Sequence, residues 1–462
     1  MGHIVKPFLE PRSIAVVGAS KTVNRPGYIV VRNLREFGFT GEVYPVNPQG
    51  GEVLGFKMYK SIQCLPENID LAFSMVPADE TFELLSSCAA KGIKSVVLAS
   101  GGFSESGLDG KKRQNEVVSF ARENGIRIIG PNAQGPVSTS DNLGLTFCHL
   151  DSLKKGDVAF IAQSGQFCGP VLEFINSSLN LGISKSIDLG NCCDIDETHV
   201  MEYLENDPET KVIAVYMESI RGGERFLKVA RRISKKKPII VLKTGRTEDG
   251  LRTATSHTGA MKVNDTIFDV ALKQAGIIRA GDMDEFLDLA KVFSGSCKLQ
   301  GNRVGVVTYS GGIGTMVADA CSEFGLRLAE LSNDTIEKIV SALPPPARIS
   351  NPLDLYAVSI PLDTDALYGV PIKAFMEDVN VDAVLSCFYM NRTAMKIDVN
   401  HLLSELVQIR KKPMAVWLIG EYGMIREYTN VFEENGVPVF ASPERAIRAL
   451  GALWRYSSHF AE

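Results

Sequence analysis

The stretch Asp157-Val-Ala-Phe-Ile-Ala-Gln-Ser-Gly-Gln-Phe167 decides how this chain is read. Apolar residues run unbroken from Val158 to Ala162, Ser164 and Gly165 interrupt them, and the apolar pattern resumes from Val171 to Leu179. That is a buried strand turning through Ser-Gly into a helix. A second copy of the arrangement lies at Arg303-Val-Gly-Val-Val-Thr-Tyr-Ser-Gly-Gly-Ile313, followed by a helix from Gly314 to Phe324. A helix start after such a turn offers unpaired backbone N–H groups and the positive end of the helix dipole, and glycine lets an anion approach closely. Ser164 and Ser310 are therefore candidate phosphate turns, set against a plain tight βα turn at each.

Outward from these two stretches, strand and helix patterns alternate along the whole chain. Before them come Ser13 to Gly18, Gly27 to Phe37, Glu42 to Val46, Asp70 to Val76, Thr81 to Ala90, Ser95 to Ala99, Lys112 to Glu123 and Arg127 to Ile129. Between them come Ser184 to Leu189, Lys211 to Met217, Phe226 to Ile233, Pro238 to Leu242 and Ile267 to Ala275. Strands at Ala383 to Cys387 and Met414 to Leu418 and a helix from Pro443 follow. Such alternation implies parallel sheets covered by helices on both faces. The fold expected is α/β, with three tandem parallel-sheet domains over residues 1–134, 150–292 and 301–458; turn residues and charge replace the periodic pattern near 134–156 and 292–302.

Composition narrows the function. With 462 residues, 45% hydrophobic and 22% charged, the chain has the make-up of a water-soluble globular protein of about three domains. A formal net charge of −5 argues against a nucleic-acid partner, and the basic cluster from Arg231 to Lys237 sits at a helix end. No apolar run reaches the roughly eighteen residues of a membrane span, and the N-terminus has neither signal-peptide layout nor the Ser or Thr a myristoylation motif wants after Gly2. Nine cysteines without a C-x-x-C pair support neither a disulfide framework nor structural zinc. Cys192-Cys193 and Cys148-His149 are adjacent residues, which point apart on a strand. No metal site and a cytoplasmic location are expected.

Chemistry concentrates in three places. His257 lies in Ala254-Thr-Ser-His-Thr-Gly-Ala260, hydroxyl and small residues without apolar periodicity, inside a loop of roughly twenty residues; loops so long are uncommon in a compact domain unless functional or disordered. Glu218 ends the strand at Met217 and so falls on the same sheet edge as Ser164 and the His257 loop. There it suits an imidazole partner, a helix N-cap or a surface charge. Asp194, Asp196 and Glu197 follow another strand end, where acidic residues commonly cap helices. In the first segment the strand ends Gly18-Ala19-Ser20, Pro45-Val46-Asn47-Pro48, Met75-Val76-Pro77, Ser100-Gly101-Gly102-Phe103 and Gly130-Pro131-Asn132 converge on one edge. Ligands of open α/β sheets bind outside the carboxyl ends of the strands, so these small and proline-rich ends form a rim for an extended nucleotide-bearing ligand. The glycine fingerprint of an ordinary NAD site is incomplete.

The segments Ser13-Ile-Ala-Val-Val-Gly-Ala-Ser20, Val43-Tyr-Pro-Val-Asn-Pro48, Ile129-Gly-Pro-Asn132, Gln163-Ser-Gly165, Asp188-Leu-Gly-Asn191, Lys243-Thr-Gly-Arg246 and Ser256-His-Thr-Gly-Ala260 together give the chain a resemblance to a known family. It resembles the α subunit of a nucleoside-diphosphate-forming acyl-CoA synthetase, the archaeal ADP-forming acetate–CoA ligase type within the succinyl-CoA synthetase superfamily, over nearly its whole length. The resemblance implies a Rossmann-like CoA-binding domain, then a ligase domain with a phosphorylated histidine, then a third domain, the last two flavodoxin-like. By it, His257 is the phosphoryl carrier, Glu218 its orienting carboxylate, and Ser164, Gly165, Gln166 and Gly259 the phosphate site. CoA would lie along Gly18, Ala19, Ser20, Val46, Asn47, Pro48, Val76, Pro77, Ser100, Gly101, Gly102 and Asn132. No segment resembles an ATP-grasp fold, so the resemblance implies ADP/ATP with Mg2+ on a partner β subunit in an α2β2 heterotetramer, with acyl-CoA, carboxylic acid and phosphate as the other reactants.

Departures from the family pattern occur at Ala133, where members with Gly-Pro-Asn-Cys have a thiol, at Gln49, which replaces a common basic residue, and at Gln166-Phe167, which replace smaller ones. They bear on CoA phosphate contacts and acyl-pocket shape. Two other readings stand beside the ligase: a CoA- or nucleotide-sensing binding module without ligase activity, against which His257 counts, and a Rossmann dehydrogenase, against which the glycine pattern counts.

Overall fold

Strand burial follows the apolar runs. Ser13–Val17 (β1), Leu71–Ser74 (β5) and Ser95–Leu98 (β6) are buried at every position, as strands covered on both faces must be. The computed structural model describes residues 3–250, 252–253, 264–295, 297–343, 349–356, 365–391, 401–403 and 412–460. These fall into two compact units, Met1–Ala280 and Gly281–Glu462.

The first unit holds two large sheets. With Glu42–Val46 (β2), the small hairpin Gly51–Val53 (β3) and Phe56–Met58 (β4), and Arg127–Ile129 (β7), the first sheet runs β2-β1-β5-β6-β7, all parallel. The second contains Gly135–Ser138 (β8), Leu143–Gly144 (β9), Lys155–Ala162 (β10), Ile183–Asp188 (β11), Val212–Met217 (β12), Ile239–Lys243 (β13) and Ile278–Ala280 (β14). Its order is β14-β13-β12-β10-β11-β8-β9. Five of these strands are parallel, whereas β8 pairs antiparallel with β11 and β9 with β8. The hairpin arises from a stretch whose turn residues had suggested only a linker. One apolar core runs through both sheets, from Val16, Phe73 and Ile129 to Ile161, Ile187 and Met217.

In the second unit, Arg303–Thr308 (β15), Arg327–Leu328 (β16), Leu353–Asp354 (β17), Ala383–Met390 (β18), Met414–Gly420 (β19) and Val439–Phe440 (β20) form a parallel sheet ordered β16-β15-β18-β19-β20, with β17 also beside β15. Helix Met283–Gly295, adjoining the stretch of turn residues, belongs to this unit: Asp288 receives a two-pronged contact from Arg445 at 2.6 and 2.9 Å, and Lys291 donates to Glu433 at 2.6 Å.

Leaving aside the antiparallel β8 and β9 and the two-residue β17, and numbering the remaining strands of each sheet in chain order, all three sheets repeat one scheme. The first strand is central, the second lies on one side of it and the third to fifth on the other, which is the flavodoxin order. Each sheet therefore has a crevice between its first and third strands, where the connections part to opposite sides and ligands lodge. In the first sheet the helix Pro26–Glu36 packs closely on the turn after β1 because its first turn carries Gly27: a Cβ there would strike the Gly18 carbonyl and Ala19 backbone. Gly27→Ala is expected to lower the urea midpoint by the equivalent of about 1–3 kcal/mol at unchanged slope. An unaltered midpoint would show that the helix shifts without cost.

Candidate functional site

The two crevices of the first unit lie along a continuous strip of backbone. Along the strand ends of the first sheet, the N–H groups of Gly18 and Ala19 donate to the Val46 carbonyl (3.0 and 3.2 Å), and the Asn47 amide donates to the Ala19 carbonyl (2.8 Å). Ala19 and Val46 have buried side chains and so support the rim from beneath; Gly18, Ser20, Asn47, Val76, Ser100 and Gly102 are half-buried, and Pro48, Pro77, Gly101 and Asn132 exposed. Ser100 Oγ donates to the Val76 carbonyl, and Asn132 N–H to the Ser100 carbonyl at 3.0 Å. The Ser104 to Asn191 region closes this side: Glu105 accepts from the N–H groups of Gly102 and Phe103 (2.6 and 3.0 Å) and from the Asn191 amide (2.5 Å). The Lys21 ammonium stands over Gly51 and the Lys60 stem over Gly50, cations beside Gln49 that sequence spacing did not single out.

The rim then passes directly into the second sheet. Asn191 N–H donates to the Pro131 carbonyl (2.9 Å), Cys193 N–H to the Gly130 carbonyl (3.1 Å) and Gln134 N–H to Asp188 Oδ2 (2.6 Å). Gly190, at φ +51°, lies so close to Pro131 that a side chain would overlap its carbonyl. The Gln134 side chain in turn lies against Gly165 and Gly169. Thus Asn132, Asp188 and the Ser164-Gly165 turn, dispersed in sequence, meet within a few hydrogen bonds.

The helix expected from Val171 runs Pro170–Ser178, and Ser164 and Gly165 do not open it directly. A single 3-10 turn, Gly165–Cys168, and then Gly169 intervene before helix Pro170–Ser178. Proline in its first turn has the φ a helix start needs, and the buried Phe167 ring, 4.8 Å from Tyr216 and 6.3 Å from Phe160, pins the turn short of the helix. Gln166 is exposed on this turn. In the second unit the expectation does describe the geometry: Ser310 is the residue before helix Gly311–Glu323.

Glu218 follows β12 and is half-buried. Tyr216 OH lies 3.5 Å from its Oε1 and 3.4 Å from Thr244 Oγ1, where the segment leading toward His257 begins. His257 and Gly259 lie outside the described residues. Asp194 accepts from Arg127 Nε and the Ile128 N–H at 2.7 and 3.0 Å, bracing one sheet against the next segment, and Asp196 caps helix Glu197–Leu204 with His199. Both acidic residues thus act as structural braces.

Beneath this surface are two buried carboxylates. Burial lifts Asp188 to about 6, opposed by the N–H groups of Gln134 and Gly190 and assisted by the nearby Glu218. Burial also lifts Glu197 to about 7, with Gln163 and Arg221 opposing and Asp196 reinforcing the shift. Its Oε2 accepts from Gln163 at 3.1 Å while Oε1 is buried without a hydrogen-bond partner among the described residues. Ionising Glu197 therefore costs more in the folded chain than in the unfolded one, where its value is near 4.5. Stability is unaffected below that pH, declines as pH rises toward 7, and stays reduced above it. Glu197→Gln should gain about 3 kcal/mol relative to the parent between about pH 5 and pH 8. Chemical denaturation at the two pH values reads this directly, and a difference that does not change with pH would refute it. Among the described residues, no group of three or more His, Cys, Asp or Glu side chains is placed to hold a metal ion, and no helix is long and apolar enough to cross a membrane.

Comparison with known proteins adds the chemistry of the class. Residues 12–136 match the CoA binding domain family, 155–293 the succinyl-CoA ligase like flavodoxin domain and 304–461 the Ligase-CoA domain. This order of α/β modules is that of an acid–CoA ligase. The chain is 38% identical to acetate–CoA ligase (ADP-forming) II subunit alpha of Pyrococcus furiosus, covering 96% of each chain. It is 37% identical to acetate–CoA ligase (ADP-forming) II of Archaeoglobus fulgidus over 98% of its own length and 67% of that chain, so it spans about two thirds of such longer relatives, and 62% of another. The structure of Ca. Korarchaeum cryptofilum dinucleotide forming acetyl-coenzyme A synthetase 1 in complex with phosphate and ADP superimposes with a TM-score of 0.92 at 32% identity, covering 100% of this chain and 98% of that one. The chain belongs to the nucleoside-diphosphate-forming acyl-CoA synthetase family and is like its acetate–CoA ligase alpha subunits throughout its length. Substrates vary within the family: relatives at 32% identity are named 4-hydroxybutyrate–CoA ligase (Nitrosopumilus maritimus; 98% of this chain, 64% of that one) and trans-feruloyl-CoA synthase (an unknown prokaryotic organism; 96% and 64%).

Proposed function

We propose that this chain is the α subunit of an ADP-forming acyl-CoA synthetase, with acetate the first acid to be tried, working with an ATP-grasp β subunit in an α2β2 assembly that binds ADP/ATP and Mg2+ on the partner. The reading divides the chain into a CoA-binding region over 1–134, a phosphohistidine-bearing region over 150–292 and a third region over 301–458. CoA lies along the rim from Gly18 to Asn132, and phosphate sits against Ser164, Gly165, Gln166 and Gly259. The observation that supports this reading is the junction of Asn132, Gln134, Asp188 and Gly165, where strand ends of the first sheet run beside the turn on the second.

Phosphate oxygen attacks the thioester carbonyl, the C–S bond breaks, and acyl phosphate and CoA thiol result. An imidazole nitrogen of His257 then attacks phosphorus; the P–N bond forms as the P–O bond to the acyl group breaks and the carboxylate departs. The phosphoryl group finally passes from His257 to ADP on the partner. Each step exchanges one bond for another, so the protein contributes mainly positioning and stabilisation of anionic charge. A carboxylate at Glu218 holds the second imidazole nitrogen as a donor and stabilises the positive charge that develops.

Incubation of the reconstituted complex with ATP labelled in its terminal phosphate tests the reading. An acid-labile, alkali-stable label on this chain, discharged by acid and CoA, is expected. Absence of label in an active complex would remove the phosphohistidine route, and binding of CoA without any turnover would favour a sensing module. A panel of carboxylic acids then identifies the acyl group.

A further inference from the structure

The first-to-third strand crevice of the second sheet, between β10 and β12, is bridged by a single side chain. Gln163, directly after β10 and only 6% exposed, accepts with Oε1 from the N–H groups of Glu218 (2.9 Å) and Ser219 (3.0 Å). Its Nε2 donates to the Ser219 carbonyl (2.9 Å) and to Glu197 Oε2 (3.1 Å). Its own N–H donates to the Tyr216 carbonyl (3.2 Å). Every donor and acceptor of the amide is therefore used, and the amide cannot turn over, because reversing it would set NH2 against two N–H groups and oxygen against a carbonyl and a carboxylate. A buried amide satisfied on all sides is costly to disturb, since each broken bond leaves a desolvated group.

We infer that Gln163, anchored from below by Glu197, is a positioning residue for the phosphoryl-transfer step: it fixes the Glu218-Ser219 peptide across the crevice and with it the origin of the Glu218 side chain. The inference rests on the proposed role of Glu218. Gln163 also immediately precedes Ser164, so one residue ties the turn assigned to phosphate to the carboxylate assigned to the imidazole. Other residue types do this less completely. Leucine makes none of the four side-chain bonds. Glutamate would still accept from the two N–H groups but would face a second carboxylate and the Ser219 carbonyl with no hydrogen to give. Asparagine keeps the amide but withdraws it by one methylene, beyond reach of both partners at once.

A double-mutant cycle in the reconstituted complex tests this. Gln163→Leu is expected to lower kcat about 10- to 100-fold, as a misplaced reacting group does, with KM for CoA within about twofold. In a Glu218→Gln background the same change should cost less than about twofold, because a residue that acts through Glu218 has nothing further to lose. Should Gln163→Leu not give a folded chain, Gln163→Asn carries the same expectations. Equal losses in both backgrounds, or a Gln163 variant with parental kcat beside an impaired Glu218→Gln, would overturn the inference alone. Parental turnover in Glu218→Gln itself would instead overturn the assignment of Glu218 on which it rests.

Discussion

His257→Ala is expected to leave no acid-labile phosphoryl label on the chain and to reduce acyl-CoA synthesis at least about 1,000-fold, the scale on which removing a covalent nucleophile acts. Alanine removes both ring nitrogens, so neither the P–N bond nor a proton-holding partner for Glu218 remains. Because His257 is surrounded by Thr255, Ser256, Thr258 and Gly259, the substitution deletes no core packing implied by the sequence, and CoA should bind as in the parent. Label and turnover must therefore fall together while CoA affinity holds. Label persisting in the variant would move the carrier to another residue. Lost label with full turnover would mean that the phosphoryl group reaches ADP directly from acyl phosphate.

Glu218→Gln is expected to slow turnover about 100- to 1,000-fold with KM for CoA unchanged, in the range found when a group that stabilises developing charge is made neutral. Glutamine matches glutamate in size and can still accept from Tyr216 OH. Since Gln163 holds the backbone of residues 218 and 219, the new side chain starts from the same point, and the measured loss reports the charge. The rim lies on the other sheet, so a change in CoA affinity is not expected. Pre-steady-state labelling should show slower phosphohistidine formation. Parental kinetics would identify Glu218 as a structural or surface charge.

The candidate site was legible in part. Glu218 and Ser164 could be assigned to one sheet edge because each follows an apolar run long enough to be a strand, and strands of a parallel sheet all end on the same side. The rim was readable for the same reason, although Ala19 and Val46 prove to lie under it rather than on it. Gln163 carried no separate signal. It is a polar residue at a strand end, where glutamine is ordinary, and its four side-chain hydrogen bonds go to three residues, at positions 197, 218 and 219. Gln134 and Tyr216 were missed likewise. The 3-10 turn after Ser164 carried no signal, because strand, Ser-Gly and helical spacing read identically with or without a 3-10 turn held by Phe167 between them.

From sequence alone, then, came the alternation of strand and helix, the parallel α/β class, the strand-end residues and the histidine in its polar loop. All of these depend on local properties: apolar period, turn residues and side-chain chemistry within a few positions of one another. Tertiary structure decided the order β14-β13-β12-β10-β11, the antiparallel hairpin added beyond β11, and the meeting of Gln134 with Asp188 and of Gln163 with Glu218. Neighbours in a parallel sheet are joined by crossovers rather than by adjacent sequence, so which strand ends face each other is set by how helices pack and cover the sheet. A hydrogen bond spanning 55 residues exists only once β10 and β12 lie side by side.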